Sequence, residues 1–210
     1  MAKTKQEIRG KVGNMIFYKV GNETRVRSAA KDFQDADSEG QQPGRSRLRV
    51  ATLFYQRLTK VISRKIWKLA AARTSQNGFN LFMKINMMVF SPCGKVEDFS
   101  RLRLTVGGLQ QVNHLGVTED NEGRVTLTWE PGGDLPSARM DDRLWVIVLL
   151  SDRSFSPFVV EGIDARRKDG GTTLVLERSR GVVAHLYCFF SGEEERTYSS
   201  SQYVWLHKRG

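Results

Sequence analysis

Hydrophobic and polar positions repeat with two different periods along this chain of 210 residues. In the first half, apolar side chains recur every three or four positions, a pattern that predicts helices over 46–73 and 79–90. In the second half, apolar and polar residues alternate, which is typical of strands. The change of period predicts an α+β protein with a hairpin and helical region over 1–94 and a β domain over 95–210.

A β-hairpin is predicted ahead of the helices, over residues 14–28. Two strand-like runs flank Gly21-Asn22, a dipeptide that suits a two-residue turn. A turn at that dipeptide sets the register, and the facing pairs are Val20–Glu23, Tyr18–Arg25, Ile16–Arg27 and Phe17–Val26. We therefore expect one apolar face and one face on which Tyr18 lies between Arg25 and Arg27.

The predicted helix over 46–73 carries a basic stripe. Four cations fall on the side of the helical wheel opposite the main apolar face: Arg57, Lys60, Arg64 and Lys68. Four apolar residues share that basic side: Val50, Leu53, Phe54 and Val61. A helix that is apolar on two faces is expected to be buried against the hairpin or against a partner chain. Pro43-Gly44 interrupt the pattern, so the sequence leaves the first residue of the helix open.

Seven strand-like runs follow in the second half: 101–107, 123–130, 143–150, 158–164, 172–178, 182–191 and 197–206. Clusters of Gly, Asp, Asn and Pro separate them, as expected for turns. Short strands at this spacing predict a seven-stranded antiparallel β-sandwich. Because the strands carry their own alternation, a fragment that begins near Lys95 is expected to fold alone.

Three runs in this half resemble parts of fibronectin type III domains. VTLTWEP, with Trp129, is similar to their second strand, AHLYCFF is similar to their penultimate strand, and YSSSQYV is similar to the last. The resemblance implies a fibronectin III or immunoglobulin-like sandwich, with Tyr187 as the corner tyrosine. It implies a fold and no function.

The order of motifs along the whole chain resembles an uncharacterised family that is widespread in Bacteroidota, a domain of unknown function. The motifs that carry this resemblance are KVGN…YK, RVRS, QQPGRSRLR, NLFMKIN, AHLYCFF and YSSSQY, which lie within residues 8–206. The resemblance implies lineage and fold, because the family brings no established activity.

Charge divides the chain in the same place as the hydrophobic pattern. Residues 1–95 contain 19 Lys and Arg against 6 Asp and Glu, whereas residues 96–210 contain 14 against 17. The whole of the +10 net charge therefore arises in the first part, which indicates that this part faces a polyanion.

Other features of the sequence indicate a cytoplasmic protein. The first residues, MAKTKQEIRGKVGN, lack the apolar stretch of a secretory signal. The longest apolar run, from Leu144 to Leu150, is too short to span a membrane. Cys93 and Cys188 have neither a CxxC partner nor a metal-ligand spacing, so both are expected to be unpaired thiols.

Catalytic and cofactor-binding motifs are absent from the sequence: it has no P-loop, no dinucleotide-binding glycine pattern, no nucleophile elbow and no HExxH. His185 alternates with apolar residues, so it is expected to be a buried strand residue rather than a metal ligand. Asp141-Asp142 and the run of glutamates at 193–195 are expected to be solvated turn charges. We expect no enzyme activity and no cofactor.

The basic N-terminal region is the candidate functional surface. Its cations are Lys3, Lys5, Arg9 and Lys11 on an arm, Lys19, Arg25 and Arg27 on the hairpin, and Arg45, Arg47, Arg49, Arg57, Lys60, Arg64 and Lys68 on the helix. Such a surface is typical of proteins that bind the phosphates of DNA or RNA, and Tyr18 is placed to stack on a base. We expect nucleic-acid binding with little sequence specificity. The alternative is a structural or assembly protein, of phage or mobile-element type, that oligomerises through the two-faced helix.

Overall fold

The chain forms two compact units, Met1–Ser38 and Glu39–Gly210. The computed structural model describes residues 8–20, 22–30, 38–72, 74–133 and 135–207. Over these residues it contains three α-helices and ten strands in three antiparallel sheets, so the α+β class is confirmed. The boundary that the sequence predicts at residues 94 and 95 falls inside the second unit.

The first unit is a sheet in the order β1-β2-β3, where β1 spans Gly10–Val12, β2 Met15–Val20 and β3 Glu23–Ser28. Its register confirms the predicted pairs, which are Val20–Glu23, Tyr18–Arg25, Phe17–Val26 and Ile16–Arg27. Strand β1 was not predicted, because three residues are too few to show alternation. Gly21 of the predicted turn lies outside the described residues, and so do Lys3 and Lys5 of the predicted arm.

Three helices open the second unit: α1 spans Gln42–Val61, α2 Arg64–Ala71 and α3 Gly78–Asn86, which a 3-10 turn over Met87–Val89 continues. The single helix predicted over 46–73 is wrong, since the backbone is extended at Ile62 and Ser63. The Ser63 hydroxyl caps α2 by accepting a hydrogen bond from the Lys65 backbone N–H at 3.2 Å. Pro43 lies in the first turn of α1, where a missing N–H costs no helical hydrogen bond.

Seven strands follow: β4 (Asn113–Glu119), β5 (Arg124–Glu130), β6 (Arg143–Leu150), β7 (Phe158–Val159), β8 (Gly171–Val175), β9 (Ala184–Ser191) and β10 (Gln202–Leu206). They form a four-stranded sheet in the order β10-β9-β6-β7 and a three-stranded sheet in the order β4-β5-β8. The strand predicted over 101–107 is wrong, because that segment belongs to neither sheet. Strand β4 was not predicted, and its register shifts between Asn113 and Gly116, which hides the alternation.

The four-stranded sheet is buried on both faces, because successive side chains of β6 and β9 enter two different hydrophobic cores. One core joins this sheet to the helices, and its largest members are Phe54, Trp67, Phe82, Phe90, Tyr187 and Phe189. The other joins it to the three-stranded sheet, through Val125, Leu127, Trp129, Val146, Leu186 and Phe190. All eight residues of β9 are buried as a result. The helices therefore cover a sheet face that alternation alone would leave to solvent.

Residues 104–107, inside the wrongly predicted strand, are held by hydroxyl groups instead of a strand ladder. The Leu104 backbone N–H donates to the Ser201 Oγ at 3.0 Å, and the Ser201 backbone N–H donates to the Thr105 carbonyl at 3.1 Å. At Gly107 a Cβ atom would lie 1.9 Å from the Tyr198 carbonyl oxygen, so only glycine fits there. The YSSSQY motif thus serves to anchor this segment.

Asn86, the last residue of α3, forms side-chain hydrogen bonds to the backbone of Arg103, in the place that a neighbouring strand would occupy. Its side chain is fully buried, its Nδ2 donates to the Arg103 carbonyl at 3.0 Å, and its Oδ1 accepts from the Arg103 N–H at 2.8 Å. Both backbone polar groups of Arg103 are satisfied in this way, which removes the cost of burying them. The NLFMKIN motif therefore ends on a residue that ties α3 to the chain beyond it.

The shared core predicts that the helices are needed for the β-strands to fold. A fragment of residues 39–210 should unfold cooperatively near the temperature of the full chain, because both cores are complete in it. A fragment of residues 95–210 should aggregate or lose its cooperative transition, since Ile147, Tyr187 and Phe189 would face water. Circular dichroism during heating measures both. A cooperative transition of the shorter fragment at the same temperature would instead favour the independent β domain that the sequence predicts.

Candidate nucleic-acid interface

The first unit has one basic face with an aromatic residue at its centre. The pairing of β1 with β2 places Lys11 opposite Ile16, and the pairing of β2 with β3 places Arg27 opposite the same residue. Tyr18 lies two residues along β2, opposite Arg25. Side chains that face each other across strands have Cβ atoms about 4.5–5.5 Å apart, so these five residues form one continuous surface. The predicted register is confirmed, and it places Tyr18 directly opposite Arg25, with Arg27 diagonally across from it on the same face.

This face is open to solvent over the residues that would meet a ligand. Tyr18 is 38% exposed, and the Arg25 side chain is 53% exposed. The Arg25 Nη2 lies 3.2 Å from the Glu23 Oε2, in an ion pair whose carboxylate is itself exposed. Pairs of this kind contribute little free energy, because water screens both charges. The guanidinium can therefore exchange this carboxylate for a phosphate at low cost.

The opposite face of the same sheet is apolar, as the sequence predicts. It carries Val12, Met15, Phe17 and Val26. Val12 is 55% exposed, Met15 49% and Val26 50%. Lys19 pairs with Thr24 on this side. The structure therefore separates Lys19 from Tyr18, Arg25 and Arg27, although all four lie on the predicted hairpin.

The first turns of α1 hold three predicted site residues, Arg45, Arg47 and Arg49, and these differ in how far they are exposed to solvent. The Arg47 Nε donates to the buried carbonyl of Phe90 at 2.9 Å, so this side chain ties α1 to the end of the 3-10 turn. The Arg45 Nη2 donates to the Gln41 Oε1 at 3.2 Å. Arg49 is exposed. Of the three, Arg47 has a structural role that the sequence did not indicate.

The predicted stripe of Arg57, Lys60, Arg64 and Lys68 is not continuous. Arg57 and Lys60 lie on α1, whereas Arg64 and Lys68 lie on α2, behind the extended residues Ile62 and Ser63. The prediction of one shared helix face is wrong for this reason. All four residues are exposed, but the Arg57 Nη1 donates to the Phe155 carbonyl at 3.0 Å.

Buried titratable groups of the second unit serve its packing. Asp142 is 2% exposed, so the prediction of a solvated turn charge is wrong for it. Its Oδ2 lies 3.2 Å from the Nη2 of the fully buried Arg167, whose guanidinium also lies 4.0 Å from the centre of the Phe190 ring. Burial raises the pKa of the Asp142 carboxyl, and the charge of Arg167 opposes that rise. The glutamates at 193–195 are exposed, as predicted.

His185 is buried in an aromatic stack, as the sequence predicts. Its ring lies 3.6 Å from the ring of Phe99 and parallel to it, and its Nδ1 is 2.9 Å from the Tyr203 hydroxyl. Burial lowers the pKa of His185 to about 4. The neighbouring Tyr187 hydroxyl donates to the Phe99 carbonyl at 2.8 Å, 88 residues away along the chain. A corner tyrosine bonds a few residues upstream, so that expectation for Tyr187 is wrong.

Metal-binding and membrane-spanning features are not found among the described residues. No group of three or more His, Cys, Asp or Glu side chains in these residues is placed to hold a metal ion. Within the same residues, no helix is both long enough and apolar enough to cross a bilayer. Cys93 is exposed and Cys188 is buried, and both are unpaired thiols, as predicted. Burial raises the pKa of the Cys188 thiol to about 12.

The chain matches a known protein family over nearly its whole length. The model of a family described as "Family of unknown function (DUF6266)" matches residues 5–205, which is nearly the whole chain. No curated protein matches the chain.

The different surroundings of Arg47 and Arg49 give a matched pair of variants. Arg47→Gln should destabilise the protein by about 1–3 kcal/mol, because it leaves the buried Phe90 carbonyl without its charged donor. Arg49→Gln, which removes the same charge from an exposed position on the same helix, should change stability by less than about 0.5 kcal/mol. Urea unfolding midpoints compare the two. Equal midpoints would show that the Arg47 hydrogen bond contributes nothing.

The lowered pKa of His185 predicts a loss of stability in mild acid. The group has a pKa near 6.5 in the unfolded chain and about 4 in the folded protein, so the unfolded state binds the proton first. Its contribution is complete above pH 6.5 and is lost as the pH falls towards 4. Between pH 7 and 4.5 this loss should be on the order of 2 kcal/mol. His185→Phe, which keeps a ring against Phe99, should reduce the pH dependence of the unfolding free energy by that amount, and an unchanged pH dependence would contradict this assignment.

Proposed function

The chain belongs to DUF6266, a family of unknown function, and from the geometry of its first unit we propose that it is a non-catalytic nucleic-acid-binding protein. It contacts the phosphate backbone through its basic N-terminal region. The observation that carries this proposal is the register that collects Lys11, Arg25 and Arg27 around Tyr18 on one open face.

The physical basis of the interaction is the release of counterions from a polyanion. Each Lys or Arg that neutralises a phosphate frees condensed cations, and this gain does not depend on base sequence. The exposed cations of the helices add to the same electrostatic attraction: Arg49, Lys60, Arg64 and Lys68. Arg47 and Arg57 contribute less, because their guanidinium groups already bond backbone carbonyls. Binding of this kind has little sequence specificity.

A structural or assembly role is the second candidate, and exposed apolar residues favour it. Leu48 and Leu53 of α1 are 45% and 48% exposed, and Val12, Met15 and Val26 form an exposed patch on the first unit. Most of the second apolar side of α1 is nevertheless used inside the chain, because Phe54 is fully buried. The assembly role therefore rests on a smaller apolar surface than the two-faced helix suggests.

We also propose that the two sheets of the second unit form a fibronectin III-like β-sandwich. With β4, β5 and β8 as strands A, B and E, and β6, β7, β9 and β10 as C, C′, F and G, the sheet orders become A-B-E and G-F-C-C′. Immunoglobulin-like sandwiches place A, B and E in one sheet and C, F and G in the other. The common core between the two sheets, which includes Trp129 and Phe190, supports this assignment. It concerns the fold, and it adds no function.

Salt dependence of binding tests the nucleic-acid proposal. Affinity for an oligonucleotide should fall linearly with the logarithm of salt, with a slope of about −0.9 per phosphate neutralised in a duplex and about −0.7 in a single strand. Arg25→Gln combined with Arg27→Gln should reduce the magnitude of this slope by about one to two units, because two phosphate contacts are lost. Fluorescence anisotropy over a salt series measures the slope.

The control variant removes the same charge elsewhere. Lys84→Gln combined with Lys95→Gln changes two exposed lysines outside the proposed interface, so the slope should stay within error of the parent. An equal reduction in both double variants would mean that net charge, and not the hairpin face, determines binding. Absence of binding by the parent at low salt would exclude nucleic acid, and an oligomer in light scattering would then favour the assembly role.

A further inference from the structure

The basic face of the first unit has an order that phosphate binding alone does not require. Ile16, Tyr18 and Val20 lie at alternate positions of the central strand β2, so they form an apolar stripe down the middle of the face. Cations occupy the strands on both sides of it, with Lys11 on β1 and Arg25 and Arg27 on β3. One acidic residue, Glu23, lies opposite Val20 at the end of the stripe.

From this order, and resting on the proposed function, we propose that the face binds single-stranded nucleic acid, with a base stacked on Tyr18 and phosphates at the cationic margins. An unpaired strand can turn its bases towards the apolar stripe while its phosphates reach the flanking cations. A duplex presents phosphates, sugars and base edges but no base face, because each face is covered by its neighbour in the stack. The apolar stripe therefore adds free energy for a single strand and almost none for a duplex.

The spacing of the cations suits successive contacts along one strand. Arg25 and Arg27 are two residues apart on β3, so their Cα atoms are about 6.8 Å apart along the strand direction. Both flank the stripe on the same side, and Tyr18 faces the first of them directly. A backbone that follows β3 can thus meet both guanidinium groups while one of its bases lies over the tyrosine ring. Arginine beside an exposed base adds a cation–π contribution.

Anisotropy with matched oligonucleotides tests the proposal. The probes are a labelled 15-nucleotide homopyrimidine strand, as DNA and as RNA, and a DNA hairpin duplex of equal phosphate number, all at one salt concentration. The parent should bind the single strands more tightly than the duplex. Tyr18→Ala should weaken single-strand binding by about 5- to 150-fold, the range that loss of one base–aromatic stack produces, and duplex binding by less than twofold. Comparison of the DNA and RNA strands shows which of the two the face prefers.

Two further variants separate stacking from folding. Tyr18→Phe keeps the ring and should retain single-strand affinity within about twofold, whereas Tyr18→Leu keeps an apolar side chain without a ring and should lose as much as the alanine variant. The ratio of single-strand to duplex affinity in the parent needs no variant at all. A parent that prefers the duplex, or equal losses on both probes in Tyr18→Leu, would overturn this inference while leaving phosphate binding intact. A parent that binds neither probe would overturn the proposed function itself.

Discussion

The pairing of β6 with β9 is the interaction on which the second unit depends. Both strands are buried on their two faces, so neither can exist without a cover on each side. The helices supply one cover and the three-stranded sheet supplies the other, and each brings its own hydrophobic core. Since a strand alternates its side chains between faces, neighbouring residues such as Tyr187 and Cys188 belong to different cores. The helices and the β-strands are consequently expected to unfold together in one cooperative transition.

The Lys and Arg side chains of this chain fall into two groups, those that stabilise the fold and those that are exposed to a ligand, and the two groups differ in burial. Arg167 is fully buried against Asp142 and Phe190, and Arg47 donates a hydrogen bond to the Phe90 carbonyl. Such guanidinium groups stabilise the fold, and they have few N–H donors available to bind a ligand. Arg25 and Arg27 instead lie on an open sheet face beside an exposed aromatic ring. A count of Lys and Arg along the sequence cannot make this distinction, because the partners of Arg47 and Arg167 are distant in sequence.

Local signals in the sequence were sufficient for some elements and insufficient for others. The hairpin register could be predicted because the Gly21-Asn22 dipeptide fixes which residues face each other. The break between α1 and α2 could not, since the helical period continues through Ile62 and Ile66, both of which are buried. The false strand at 101–107 has true alternation, but its partners are the hydroxyl groups of Ser200 and Ser201 and the backbone carbonyl of Ser199, and not a neighbouring strand. The burial of Asp142 depends on a cation 25 residues further along the chain.

The hydrogen bonds between residues 104–107 and the serines at 199–201 also affect the order of folding. The bonds from Leu104 and Gly107 to the serine hydroxyls close loops of 97 and 93 residues. Contacts over such separations carry a large loop-closure entropy, so they form after more local structure has shortened the chain between them. The serines lie between β9 and β10 along the chain, so we expect the pairing of these two strands to bring the hydroxyls into position. The connection from the helices to the sheets is thus completed late, and a nascent chain cannot make it until residues 199–201 have been synthesised.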